Sequence, residues 1–248
     1  MAEPVHITLI GGGWSSVTAA ALYSPFLRAA GDNPTVACLL LDEGHGADEF
    51  TRWQGLLTSL APCRPIPLLV AVGELFEPDL LVDTGADALL VGGGLTPAYA
   101  HALVPVAADL RTWLAAGRPY AGFSAGAAIA SRDAILGGWL LDGHPICPAD
   151  AGEDLDEITV SPGLGLIGAG VDVHADAWGT LSRAAAAVQS GLVASGLAIE
   201  EETALIIDGG AAVVAGAGGV HQIAAGHHGP VLTRHGAGSA LSLESIGI

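Results

Sequence analysis

The sequence predicts an α/β protein built on a parallel sheet covered by helices. Three observations carry that reading. Short, continuous apolar stretches alternate with helix-length segments through the first half of the chain. Strands of that kind are buried on both faces, as in parallel sheets. Glycine-rich turns follow several of these stretches, at Gly11, Gly92 and Gly122. They fall at the carboxyl ends of the strands, where α/β proteins bind their ligands. Finally, 51% of the 248 residues are hydrophobic, enough for a sizeable core.

In chain order, residues 5–10 read as a first strand, followed by the Gly11-Gly12-Gly13 turn. Residues 15–30 are compatible with a helix, 35–41 with a buried strand, 47–60 with a helix and 66–72 with a third strand. Residues 79–84 form a short helix or turn, and 88–91 a fourth strand ending at Gly92-Gly93-Gly94. A helix over 97–116 follows, with Thr96 as its N-cap and Pro97 in the first helical position. Residues 119–123 are a fifth strand and 125–131 the helix behind it. The second half is less regular. Residues 138–145 suggest a hairpin and 152–157 an acidic, solvated loop. Residues 170–174 end a strand, 180–192 form a helix, and 197–199 and 203–207 are strand-like around three glutamates. Residues 211–225 alternate about Gly218-Gly219, which predicts a terminal antiparallel hairpin. No repeat or linker is evident, so residues 1–248 are read as one hydrolase domain.

The formal charge is −18, with eight arginines and no lysine. So acidic a chain lacks the basic footprint that nucleic acid or anionic lipid requires. The three cysteines, Cys38, Cys63 and Cys147, are odd in number and form no C-x-x-C pair, which argues against a disulfide framework or a zinc knuckle and for a reducing, cytoplasmic setting. The N-terminus has no positive region ahead of its apolar stretch, so it reads as a core strand and not a signal peptide. No uninterrupted apolar run is long enough to span a bilayer.

The chemistry concentrates in Gly122-Phe123-Ser124-Ala125-Gly126, a Gly-x-Ser-x-Gly between a strand and a helix. A serine on so tight a turn projects its hydroxyl above the sheet, and the flanking glycines remove clashes. The N–H groups opening the helix, beginning with Ala125, can meet a developing oxyanion. Gly93 and Gly94 end the preceding strand and can supply the rest of that hole. A serine needs a base. Of nine histidines, His174 is the best placed, at the end of a strand; His144 lies in a loop, and His221, His227, His228 and His235 lie towards the C-terminus. An acid must orient the base. One of Glu200, Glu201 and Glu202 can turn inward while its neighbours face water, since burying unpaired charge is costly. Gly11-Gly12-Gly13 partly matches a dinucleotide-binding turn but lacks the third glycine.

Together, Gly92-Gly93-Gly94, Gly122-Phe123-Ser124-Ala125-Gly126-Ala127, Gly163-Leu164-Gly165-Leu166 before Asp172-Val173-His174, and Glu200-Glu201-Glu202-Thr203-Ala204 occur in an order that resembles the peptidase S51 family of dipeptidase E and cyanophycinase. The likeness spans about residues 5–210. It implies a flavodoxin-like fold related to class I glutamine amidotransferases, and a serine peptidase acting on small peptides without metal or cofactor. It further implies Ser124 as nucleophile, His174 as base and Glu201 as acid, with Asp142 ranked second for the acid. The implied substrate contacts are Leu95, Thr96, Asp172, Trp178 and Arg183. Two departures stand out: Leu95 replaces a family asparagine, and Trp178 and Thr180 stand where cyanophycinase carries arginines, leaving Arg183. Trp178 therefore suggests a more apolar or smaller pocket. The expected partner is a small peptide or amide, with no nucleic acid and no membrane, and a homodimer left open. Two rival readings are an α/β-hydrolase esterase, using a late histidine such as His221 or His227 with Asp208 or Glu201, and a catalytically silent binding module.

Overall fold

The computed structural model describes residues 6–248. Val5, the first residue of the expected opening strand, lies outside them. The first half runs β1 (Ile7–Ile10), α1 (Ala19–Ala29), β2 (Thr35–Asp42), α2 (Gly46–Leu60), β3 (Arg64–Ala71), α3 (Asp79–Asp83), β4 (Ala88–Val91), α4 (Thr96–Leu103), a 3₁₀ turn (Val104–Val106), α5 (Ala107–Leu114), β5 (Tyr120–Phe123) and α6 (Ala125–Ala128). The expected helix over 97–116 is thus two helices. Pro105 sits in the turn between them, where its missing N–H and its ring break the helical ladder. Leu95 takes the cap position expected of Thr96, and Pro97 lies in the first turn.

The second half runs β6 (Asp133–Gly137), β7 (Leu140–Leu141), β8 (His144–Pro145), β9 (Thr159–Pro162), β10 (Gly170–Val173), α7 (Leu181–Gln189), β11 (Ser195–Ile199), β12 (Thr203–Asp208), β13 (Ala211–Gly216), β14 (Gly219–Ala224), β15 (Val231–Gly236), β16 (Ala240–Leu241) and α8 (Leu243–Ile246). The small hairpin over 138–145 is present as β7 and β8. The ribbon of β6 with β9 was not foreseen.

The main sheet has eight strands in the order β16-β13-β12-β1-β5-β4-β2-β3. Strands β1, β5, β4, β2 and β3 are mutually parallel. Strands β12, β13 and β16 extend the sheet antiparallel, so the all-parallel expectation holds for only part of it. The parallel part, read from its edge as 3-2-4-5-1, also differs from the 2-1-3-4-5 order of flavodoxin: β1 pairs with β5 and not with β2. Central β2 is buried along nearly its whole length, as its unbroken Val-Ala-Cys-Leu-Leu-Leu run requires. Edge strand β3 alternates between buried and exposed and carries Pro65 and Pro67, which an edge tolerates.

A second sheet, in the order β10-β11-β14-β15, accounts for the largest correction. Residues 211–225 do not form a hairpin. Strand β13 pairs with β12 in the main sheet, while β14 pairs with β11 and β15 in the second. The alternating sequence specified strands, but the chain between Gly216 and Gly219 carries them into different sheets. The main sheet is therefore not covered by helices alone. Helices α1 and α2 pack one face, around Phe26, Leu40 and Trp53. On the other face α4 and α5 share a core with strands of the second sheet, through residues such as Leu103, Leu110, Val171, Leu197 and Leu205. Helix α7 covers the outer side of that second sheet with Ala184, Ala187 and Val188. At about 25 cal/mol per Å² of apolar surface, each such leucine stabilises the fold by about 1.5–3 kcal/mol.

Candidate active site

The elbow forms as its residue types demand. Strand β5 ends at Phe123, and Ser124 adopts φ 52° and ψ −114° before α6 begins. A left-handed φ costs a non-glycine residue energy and is characteristic of functional turns. A Cβ on Gly122 would run into the backbone of Gly126, and one on Gly126 into the backbone of Val91, so both positions exclude side chains. The Gly126 N–H donates to Gly92 O at 3.1 Å, which ties the elbow to the turn after β4. Gly93 is thereby brought against Ser124: its Cβ position lies 3.3 Å from the serine Cβ. Ala125 opens α6, so its N–H has no acceptor within that helix. The Gly163–Leu166 stretch has a different task. Its N–H groups cap the far end of α6, Leu164 on Ile129 O at 2.7 Å and Leu166 on Ala130 O at 2.9 Å.

The remaining groups come from the second half. His174 follows β10 with φ 55°, and its N–H donates to Gly11 O at 2.9 Å. Its ring packs over Gly12, where any Cβ would overlap the imidazole. Ser124 Oγ lies 2.8 Å from His174 Nε2, and His174 Nδ1 lies 2.6 Å from Glu201 Oε1. The neutral tautomer that fits donates from Nδ1 to the carboxylate and accepts the serine proton at Nε2. Burial holds the His174 pKa below its ordinary 6.5, and the Glu201 carboxylate opposes that shift. The ring is therefore neutral near pH 7. Trp178 stacks flat on it, with centroids 3.8 Å apart and planes 6° apart.

The three consecutive glutamates are all engaged, contrary to the expectation that two would face water. Glu200 is buried and accepts from Arg234 Nε and an Arg234 terminal nitrogen, from His221 Nε2 and from the Gly219 N–H, at 2.7–2.8 Å. Its pKa falls to about 2, chiefly through Arg234. The Glu201 N–H donates to Asp176 Oδ1 at 3.0 Å. Glu202 accepts the Ser15 N–H at 2.8 Å and the Thr18 hydroxyl. That carboxylate occupies the mouth of the Gly11–Gly13 turn, so the turn serves as a frame for His174 and Glu202 and does not offer a phosphate cradle. The expected helix over 15–30 accordingly starts only at Ala19.

Other expected residues lie elsewhere. Asp142 is exposed in the β7–β8 turn, and Glu201 already holds His174 Nδ1. Arg183 and Asp172 are buried and consume each other in a two-bond ion pair of 2.7 and 2.8 Å. Arg183 also donates to Gly138 O and Ala151 O, so neither residue is free for substrate. Thr96 is buried, its N–H on Glu153 Oε2 at 3.0 Å. Of the residues the esterase reading named, His221 is held by Glu200, Asp208 faces His6 at 3.6 Å, Glu201 is on His174, and His227 is exposed in the turn after β14. Gly93, Gly94, Ser124, His174, Trp178 and Glu201 all line one cleft of about 700 Å³. Leu95 borders an adjoining pocket of about 310 Å³ that shares Ser124 and Trp178. Sequence reasoning missed the wall contributed by Trp14, Glu43, His45, Asp48, Glu49 and Arg52. The position of Glu43 directly after a strand was the one available signal, since active sites collect at strand ends. This wall brings Glu43, Asp48, Glu49 and Arg52 together with Trp14, so the lining of the cleft mixes charged and aromatic side chains. Among the described residues, no group of three or more His, Cys, Asp or Glu side chains is arranged to hold a metal ion. No helix among them is long and apolar enough to cross a membrane.

No protein-family model matches the chain. No curated protein sequence matches it either. Solved structures do. A peptidase from an acI-B1 Actinobacterium superposes with a TM-score of 0.68 at 17% identity, covering 97% of this chain and 98% of its own. A candidate Peptidase E protein from Listeria monocytogenes EGD-e gives a TM-score of 0.55 at 15% identity, covering 86% of this chain and 98% of its own. The chain thus shares its mixed α/β fold, with the large, partly parallel central sheet, with proteins named as peptidases, in line with the resemblance carried by its motifs.

Proposed function

We propose that the chain is a serine peptidase of the peptidase E type, cleaving small peptides through Ser124, His174 and Glu201. One observation carries the reading: Ser124, on a left-handed elbow, meets a neutral histidine at 2.8 Å whose other nitrogen is 2.6 Å from a carboxylate. That is the geometry of an activated nucleophile, its base and its orienting acid.

In the proposed reaction the Ser124 Oγ–H proton passes to His174 Nε2 as Oγ bonds to the amide carbon. The N–H groups of Ala125 and of Gly93 or Gly94 receive the oxyanion. His174 then protonates the leaving nitrogen as the C–N bond breaks. Water attacks the acyl-serine, His174 takes its proton, and that proton returns to Ser124. The cycle consumes only water. Three unpaired cysteines fit work in a reducing compartment such as the cytoplasm.

The test is covalent labelling with a fluorophosphonate probe and mapping of the adduct by peptide mass spectrometry. Labelling at Ser124 that is lost in His174→Ala supports the assignment. Labelling that survives His174→Ala removes the histidine from the role given to it, and an unlabelled Ser124 removes the serine.

A further inference from the structure

The residues that hold Ser124 and His174 leave the charge of the cleft unexplained. Glu43 follows β2, and its Oε2 stands 3.0 Å from the Cβ position of Gly94, beside the nucleophile. Asp48 and Glu49 project from the first turn of α2 into the same cleft. Asp150, Glu153 and Asp154 line the adjoining pocket together with Glu43, Ser124 and Trp178. Among the described residues, none of these six carboxylates is in an ion pair. Asp172, Glu200 and Glu201, by contrast, each have a basic partner.

The one guanidinium of the cleft, Arg52, does not neutralise the carboxylates by contact. It lies over the Trp14 ring, 3.6 Å from the centroid. The cleft therefore already seats one cation on an indole. A second indole, Trp178, borders both the cleft and the adjoining pocket and is 42% exposed. Unpaired carboxylates beside an indole that is stacked on His174 by one face yet still part-exposed favour an ammonium or guanidinium by Coulomb attraction and by cation–π contact. The same carboxylates repel an acidic side chain, which is discrimination by like charge. The chain's net charge of −18 steers in the same direction at longer range.

We propose that the cleft selects small peptides bearing a positive charge next to the scissile carbonyl, and turns away acidic ones. The inference rests on the reading of Ser124 as nucleophile. The cation is a basic side chain or a free α-ammonium, and Glu43 and Asp150, which line one pocket with Ser124, determine the preference.

The charge preference is measured separately from the chemistry by using Ser124→Ala protein. Melting temperatures are recorded with lysyl-alanine amide, acetyl-lysyl-alanine amide, acetyl-alanyl-alanine amide and acetyl-aspartyl-alanine amide. The expected order of affinity places both lysyl peptides about tenfold above the neutral one and the aspartyl peptide last. The gap narrows as salt is raised. Comparing the two lysyl peptides separates the side chain from the α-ammonium. In Glu43→Gln/Asp150→Asn protein the lysyl-over-aspartyl ratio falls by about tenfold. Equal affinities, an aspartyl peptide that binds best, or a ratio unmoved by the double substitution each overturn the inference. A failure of probe labelling at Ser124 in the wild type overturns the catalytic reading instead.

Discussion

The two halves of the chain build the site by different means. The half ending at α6 sets Ser124 through local backbone geometry: a short strand, a left-handed residue and two glycines that admit no side chain. The half beginning at β6 sets His174 and Glu201 through contacts with distant parts of the chain. His174 is held on Gly11, Glu202 on Ser15, and Glu200 on Arg234. Local geometry is written in consecutive residues, and long-range hydrogen bonds are not. This difference makes the nucleophile robust and its partners dependent on the second sheet.

The largest effect that would sharpen the contrast comes from Glu201→Gln. It should lower kcat by two to four orders of magnitude, since the wrong tautomer of His174 then predominates. Loss of the carboxylate also removes what opposes the burial-driven fall of the His174 pKa. The acid limb of the pH–rate profile should therefore move to lower pH. A rate within tenfold of wild type would show that Glu201 does not orient the base.

Gly122→Val tests the local half. The new side chain meets the Gly126 backbone, so overpacking of a rigid turn should cost about 1–3 kcal/mol or more, read by urea unfolding. An unchanged midpoint would mean that the elbow is looser than its geometry indicates.

Arg234→Met tests the long-range half. It removes two of the four donors to Glu200 while leaving Ser124 untouched. We expect kcat to fall about tenfold with KM little changed, as the turn presenting Glu201 loosens. It should also change the response to acid. The Glu200 pKa is depressed from 4.5 to about 2 in the folded protein. Its contribution to stability is thus fully present above pH 4.5 and is lost as the pH falls towards 2. The wild type should lose melting temperature across that window, and Arg234→Met should lose less. Equal losses would place the acid response elsewhere.

The smallest effect is in the wild-type pH profile. His174 must be neutral to accept the serine proton, and burial lowers its pKa. The half-activity point on the acid side should therefore fall below pH 6.5, in kcat/KM measured on a peptide whose own charge is constant across the range. A point above 6.5 would indicate that the carboxylates around the ring outweigh its burial.

The sequence by itself determined what neighbouring residues decide. Buried strands such as β2 and β4 follow from unbroken apolar runs, and the elbow follows from Gly-x-Ser-x-Gly at a strand–helix junction. His174 was legible because a strand end preceded it; the residues alone left Glu200, Glu201 and Glu202 open as its acid, and only the resemblance to the S51 motif singled out Glu201. Tertiary structure decided the rest. Nothing local distinguishes the Arg183 that pairs with Asp172 inside the protein from an arginine that meets substrate, because the desolvation that forces the pairing depends on what packs above it. The alternation of residues 211–225 specified strands without naming their sheets, since a strand's partner is chosen by where the chain has already closed. The acidic wall of Glu43, Asp48 and Glu49 joins Asp150, Glu153 and Asp154 across about a hundred residues, and only the packing of α2 beside the elbow brings those charges around one serine.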